Sequence, residues 1–127
     1  MELGVIFVIL FMKENVIKNK SFDFALDIIA LYKELRVQGE YVLSKQLLRS
    51  GTSIGANVKE ALSGQSRADF LSKMYIAFKE AQETEYWLEL LIKSSLVNLD
   101  FNSALKNIKE IILILSSITK STKENNS

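Results

Sequence analysis

Arg49, Ser53, Asn57 and Glu60 recur every three or four residues. On an ideal helix they fall within an arc of roughly 80°. One face would then carry a guanidinium, a hydroxyl, an amide and a carboxylate in a row. A second segment supplies Glu80, Glu83 and Glu85. Glu85 projects close to that segment's apolar stripe, so it is expected to need a partner. Two chemistries fit these residue types. One is a carboxylate site for metal binding or acid–base work. The other is a polar network that fixes the register of two helices, with Arg49 gripping a carboxylate bidentately and Asn57 satisfying leftover acceptors. The chain has no histidine, so the Glu-x-x-His pattern of di-iron bundles cannot occur. Ser53 lacks a base to activate it as a nucleophile. A magnesium site built from carboxylates alone is conceivable, but nothing specifies it. The balance favours the network. No catalytic residue, metal site, cofactor or small-molecule substrate is expected, and the chain is not expected to be an enzyme.

Cysteine is absent, which rules out disulfides, thiolate nucleophiles and the usual zinc sites. A cytoplasmic location is compatible with that. The 127 residues suit one domain with one core. Proline is absent and glycine is rare, which favours long helices. The net charge of +1 exerts no global pull on nucleic acid or an acidic membrane, so such binding would need a local patch.

Positioning that polar row takes four helices. The first is expected from about Phe22 to Val37, starting near Ser21 or Asp23. It carries two apolar stripes, Phe22, Ala25, Leu26 and Ile29, and Phe24, Ile28, Leu31 and Leu35. Gly39 is a plausible stop. The second runs from about Tyr41 to Ser63, with Leu43, Leu47, Ile54, Val58 and Ala61 on one face. Gly51 and Gly55 lie one turn apart within it, each costing roughly 1 kcal/mol of helix propensity against alanine. Close approach of a neighbouring helix would offset that cost; a break near Gly51 is the competing reading. The third, capped by Ser66 with Asp69, runs from about Arg67 to Leu96. Its core stripe reads Phe70, Met74, Ala77, Phe78, Ala81, Leu88 and Ile92. The fourth, capped by Asp100, runs from about Phe101 to Thr119. Short connections then predict an all-α, up-down-up-down antiparallel four-helix bundle over residues 21–119. Residues 120–127 read as a frayed polar tail, and 1–20 as an apolar, irregular extension.

Leu3 to Phe11 is continuously apolar. It is too short to span a bilayer, which takes about 20 such residues, and it lacks the basic start of a signal peptide. An over-extended start with Met12 as initiator, an extra strand and an apolar anchor all fit; no membrane partner is expected. Helices one, three and four carry more apolar surface than one buried stripe requires. Such surplus marks an interface, so a homo-oligomer is expected, with Ile76, Trp87, Leu90 and Ile114 as interface candidates; a wider core within one chain is the alternative. Lys45, Lys59, Arg67 and Lys73 are the candidate nucleic-acid contacts. Repeated in every subunit of a ring, they would form a band of positive charge able to meet phosphates. No stacking platforms or recognition-helix pattern support sequence-specific readout.

Two segments carry a family resemblance. The first is Gln46-Leu47-Leu48-Arg49-Ser50-Gly51-Thr52-Ser53-Ile54-Gly55-Ala56-Asn57-Val58-Lys59-Glu60-Ala61. The second runs from Ile76-Ala77-Phe78-Lys79-Glu80-Ala81-Gln82-Glu83-Thr84-Glu85 through Tyr86-Trp87-Leu88-Glu89-Leu90-Leu91. Together they resemble the bacterial four-helix-bundle family of 23S rRNA intervening-sequence proteins, which also includes the accessory variability determinant of diversity-generating retroelements. The resemblance covers about Ser21 to Thr119. It implies a bundle that assembles as a ring, typically a pentamer, with no known catalytic activity. It also implies RNA, or a nucleic-acid-processing protein such as a reverse transcriptase, as partner. A structural scaffold that binds no nucleic acid is the alternative. Arg49, Ser53, Asn57 and Glu60 match the family's second-helix pattern, and Lys79, Glu80, Glu83, Tyr86 and Trp87 its third. A charge of +1 is low for a strong nucleic-acid binder.

Overall fold

The computed structural model describes residues 2–126, with side chains described as far as Lys120. Four helices account for nearly all of them: α1 (Leu3–Val37), α2 (Leu43–Leu62), α3 (Arg67–Ser94) and α4 (Asn102–Asn126). No strand occurs among the described residues. In this four-helix bundle α1 packs on α2, α2 on α3, α3 on α4, and α4 on α1, so α1 and α3 are not adjacent helices.

Local chemistry sets the helix ends. Gly39 takes φ +84 after α1, a left-handed geometry that costs glycine little. The Glu40 carboxylate then accepts the amides of Val42, Leu43 and Ser44 at 3.3, 3.0 and 2.6 Å. It satisfies three orphan donors at the start of α2. Ser66 caps α3 by accepting the Asp69 amide at 3.0 Å, and Asp100 accepts the Asn102 amide at 2.9 Å before α4. The α1–α2 and α3–α4 connections are tied together. Gln38 donates to the Asn98 carbonyl at 2.9 Å and accepts the Asn98 amide at 2.8 Å.

Two helix boundaries differ from expectation. α1 starts at Leu3, not near Phe22, so the residues expected to be irregular, or to form an extra strand, are helical. No residue between Gly4 and Ser21 breaks a helix, and the apolar run propagates as readily in this form as in an extended one. Ser21 is not a start signal. It is fully buried and its hydroxyl bonds back to the Lys18 carbonyl. α4 likewise continues to Asn126, through the stretch read as a frayed tail; the side chains of 121–127 lie outside the described residues.

The core runs the length of the bundle. Ile17, Phe24, Ile28 and Leu35 come from α1, and Leu47, Ile54, Val58 and Ala61 from α2. α3 adds Met74, Ala77, Ala81, Leu88 and Leu91, and α4 adds Ile108, Ile111, Leu115 and Ile118. On α1 the stripe Phe24–Ile28–Leu35 therefore faces inward, while Phe22, Leu26 and Ile29 are exposed. On α3 Leu91 takes the core place expected of Ile92, which is exposed.

α2 is unbroken through its glycines, and the helix that approaches them is α1. A Cβ on Gly51 would lie 2.9 Å from both γ carbons of Ile28, and one on Gly55 would lie 3.3 Å from the Ser21 carbonyl oxygen. Ile28 is itself fully buried and has nowhere to retreat. Gly51→Ala is expected to lose about 1–2 kcal/mol of stability in urea denaturation, overpacking outweighing the roughly 1 kcal/mol gained in helix propensity.

Candidate functional site

The polar row of α2 splits in two directions. Arg49 faces α3, donating from Nη1 to both Glu80 carboxylate oxygens at 3.3 and 3.1 Å and from Nη2 to Glu83. The Glu80 hydrogen bond is the main reason that the guanidinium's pKa rises above its ordinary value; burial opposes it and Glu83 adds to it. Glu83 also accepts the Trp87 indole N–H at 3.1 Å, which locks that ring. Further along, Glu60 pairs with Lys73 at 3.1 Å. Beneath the ion pairs lies a bond that the sequence reading missed. Thr84 donates to Ser50 across 2.9 Å, with both residues fully buried. Small hydroxyl residues at matching heights of two apolar stripes were the signal for it.

Three of the proposed network members do not bridge the helices. Ser53 donates to the Arg49 carbonyl at 2.5 Å and Asn57 to the Ser53 carbonyl at 2.8 Å. Both turn back on their own helix, as short polar side chains do when a carbonyl lies one turn away. Glu85 has no hydrogen-bond or ion-pair partner among the described residues. Five residues past Glu80, it points about 140° around the helix, away from α2. The ion pairs are not buried either, since the Arg49 side chain is 49% exposed. Their arrangement holds a register and presents no unpaired nucleophile or base. Among the described residues no group of three or more acidic side chains is placed to hold a metal ion.

Two of the basic candidates lie on α2 and two on α3. Lys45 and Lys59 are exposed on α2. Lys73 is partly neutralised by Glu60. Arg67 stands at the start of α3 beside Glu14, with which it lines a shallow pocket. Burial raises the Glu14 carboxyl above its ordinary pKa and Arg67 partly lowers it. The interface candidates divide as well. Ile76 is exposed and Leu90 half-buried. Trp87 and Ile114 are half-buried against the chain's own core. The more exposed apolar positions are Tyr75 and Tyr86 on α3 and Leu113 on α4, the last 71% exposed.

Trp87→Ala is expected to cost about 2 kcal/mol, since the ring is half-buried and its packing is lost. Arg49→Ala is expected to cost less than about 1 kcal/mol as an exposed pair. Urea denaturation of both variants checks the order. For Glu14, a raised folded pKa means that ionisation opposes folding. Its effect is absent below the ordinary carboxylate range and grows as pH rises through the folded pKa. Glu14→Gln should therefore melt higher than the parent chain at neutral pH and at the same temperature near pH 3.

The comparisons with known proteins agree with the motifs. The family model described as 23S rRNA-intervening sequence protein matches residues 13–117. Among solved structures, a protein of unknown function from the S23 ribosomal protein family of Bacteroides thetaiotaomicron is 55% identical. The match covers 85% of this chain and 98% of that one, with a TM-score of 0.81. No curated protein matches. The helices that carry Arg49, Ser50, Glu80 and Thr84 lie within the matched region, and the chain belongs to the family of 23S rRNA-intervening sequence proteins.

Proposed function

We propose that this protein is a non-enzymatic oligomeric adaptor, a four-helix bundle that assembles as a pentameric ring in the cytoplasm. One observation carries the reading. α1 and α3 are not adjacent in the bundle, and each turns large apolar side chains outward, Phe22, Leu26 and Ile29 on α1 and Tyr75, Ile76 and Tyr86 on α3. Apolar rows of this size on two sides of a bundle are characteristic of surfaces covered by other copies. Among the described residues no helix is long and apolar enough to cross a membrane, so a span is not what covers them.

The helices of each subunit run up-down-up-down and antiparallel. The cross-helix bonds support this direction: Arg49 meets Glu80 while Glu60 meets Lys73. Likewise Lys13 meets Ser117, Lys20 meets Glu110 and Gln38 meets Asn98. In each set one number rises as the other falls.

The ring's partner is RNA or a nucleic-acid-processing protein, such as the reverse transcriptase of a diversity-generating retroelement. Lys45 and Lys59, exposed on one helix, would recur in every subunit and give a band of charge that a single chain lacks. A second reading, a scaffold for protein partners alone, draws support from Lys73 and Arg67. Lys73 is paired with Glu60, and Arg67 stands beside Glu14. Electrostatic binding loses affinity steeply with salt. The adaptor reading expects binding of a structured RNA to weaken at least tenfold between 50 and 200 mM salt (an order of magnitude typical of several phosphate contacts). It also expects weakening in Lys45→Glu/Lys59→Glu. Affinity indifferent to both changes, or no binding at low salt, favours the scaffold.

A further inference from the structure

We infer that the end of the bundle where α1 turns into α2 binds unpaired bases of single-stranded RNA, a base stacking on Tyr41 while the Arg36 guanidinium meets the adjoining phosphate. This rests on the RNA reading above and names the surface, the contacts and the form of RNA.

Three side chains make the platform. Arg36 stands in the last turn of α1. Tyr32 lies one turn before it, and Tyr41 lies beyond the turn at Gly39. The guanidinium sits over the Tyr32 ring, 5.6 Å from its centroid, and over the Tyr41 ring, 5.1 Å from its centroid. Tyr32 is half-buried and Tyr41 is 52% exposed. Spacing along the chain hides this cluster, because only the turn brings Tyr41 back onto α1. The backbone around it is held in place. Glu40 grips the amides of Val42, Leu43 and Ser44, and Gln38 clasps Asn98 through two hydrogen bonds. Val37 and Val42 flank this turn and Leu96 stands on the connection that Gln38 clasps, all three exposed. A fixed backbone that leaves an aromatic ring and three aliphatic side chains in water is a surface organised before binding.

Charge selects the occupant. Arg36 has no ion-pair partner among the described residues, and neither have Lys33 and Lys45, both exposed near it in sequence. Of the carboxylates on the two connections, Glu40 is taken up by the α2 amides, and Asp100 accepts the Asn102 amide. Glu34 lies about 160° around α1 from Arg36. A guanidinium resting on aromatic faces keeps its charge and its planar fork of donors, which suits a phosphate. A tyrosine ring accepts the face of any base. In a duplex those faces are covered by neighbouring bases, so an aromatic platform takes an unpaired strand.

The test measures binding of the full chain to a fluorescently labelled, unstructured RNA oligonucleotide and to the same strand annealed to its complement. The parent is expected to prefer the single strand. Tyr41→Ala is expected to weaken that binding about tenfold, within the range for loss of one stacked base, and to leave duplex binding unchanged. Tyr41→Phe, which keeps the ring, is expected to bind as the parent does. Arg36→Lys, which keeps the charge without the planar fork, is expected to weaken single-strand binding. Circular dichroism checks helix content first, and Tyr41→Leu replaces Tyr41→Ala if the latter loses it. If Tyr41→Ala and Arg36→Lys bind the single strand as the parent does while Lys45→Glu/Lys59→Glu weakens it, the platform is wrong and the RNA reading stands. A parent chain that binds neither RNA removes both.

Discussion

The close crossing of α1 over α2 at Gly51 and Gly55 is the constraint on which the rest of the molecule depends. Ile28 and the Ser21 backbone sit where any Cβ on those glycines would press. Only hydrogen at these two positions lets the helix axes come that near. The contact fixes the rotation of α1 about its own axis. With Ile28 and Phe24 turned inward, Phe22, Leu26 and Ile29 have no choice but to face out. The surplus apolar surface is thus a consequence of the glycine crossing. On its other side α2 holds α3 by the buried Thr84–Ser50 bond and the ion pairs above it. α2 therefore sets the register of both its neighbours.

The polar cluster at Arg49 is suited to that register role and to little else. An exposed pair adds less than about 1 kcal/mol, so its value lies in geometry more than in stability. Arg49 spans two carboxylates one turn apart, and Glu83 in turn fixes the Trp87 ring. A slip of α3 by one residue would separate all of these at once. The same chain of contacts turns Tyr86 outward, edge-on to Trp87 at 5.1 Å.

The four helices were legible because their apolar periodicity is strong and their caps are local. Ser66, Asp100 and Gly39 act as their residue types imply. The start of α1 was not, because a continuous apolar run has no period and Ser21 mimics a cap while serving as a small buried spacer. The pairing of Arg49 with Glu80 and Glu83 followed from spacing. The failure of Glu85, Ser53 and Asn57 to join it did not, since that depends on which side of α3 meets α2 and on nearby carbonyls that spacing does not reveal. Trp87 and Ile114 show a related ambiguity: a second apolar stripe can widen the core or face out, and both side chains are half-buried. In the bundle Ile114 stands half inside and Leu113 outside.

The central claim is that the outward apolar surface is covered by further copies of the chain. Native mass spectrometry of the full chain at low micromolar concentration reads it directly. A dominant species of five copies of the 14.4 kDa chain, about 72 kDa, is the predicted result. A spectrum holding only the 14.4 kDa species, unchanged as the concentration rises tenfold, would contradict it.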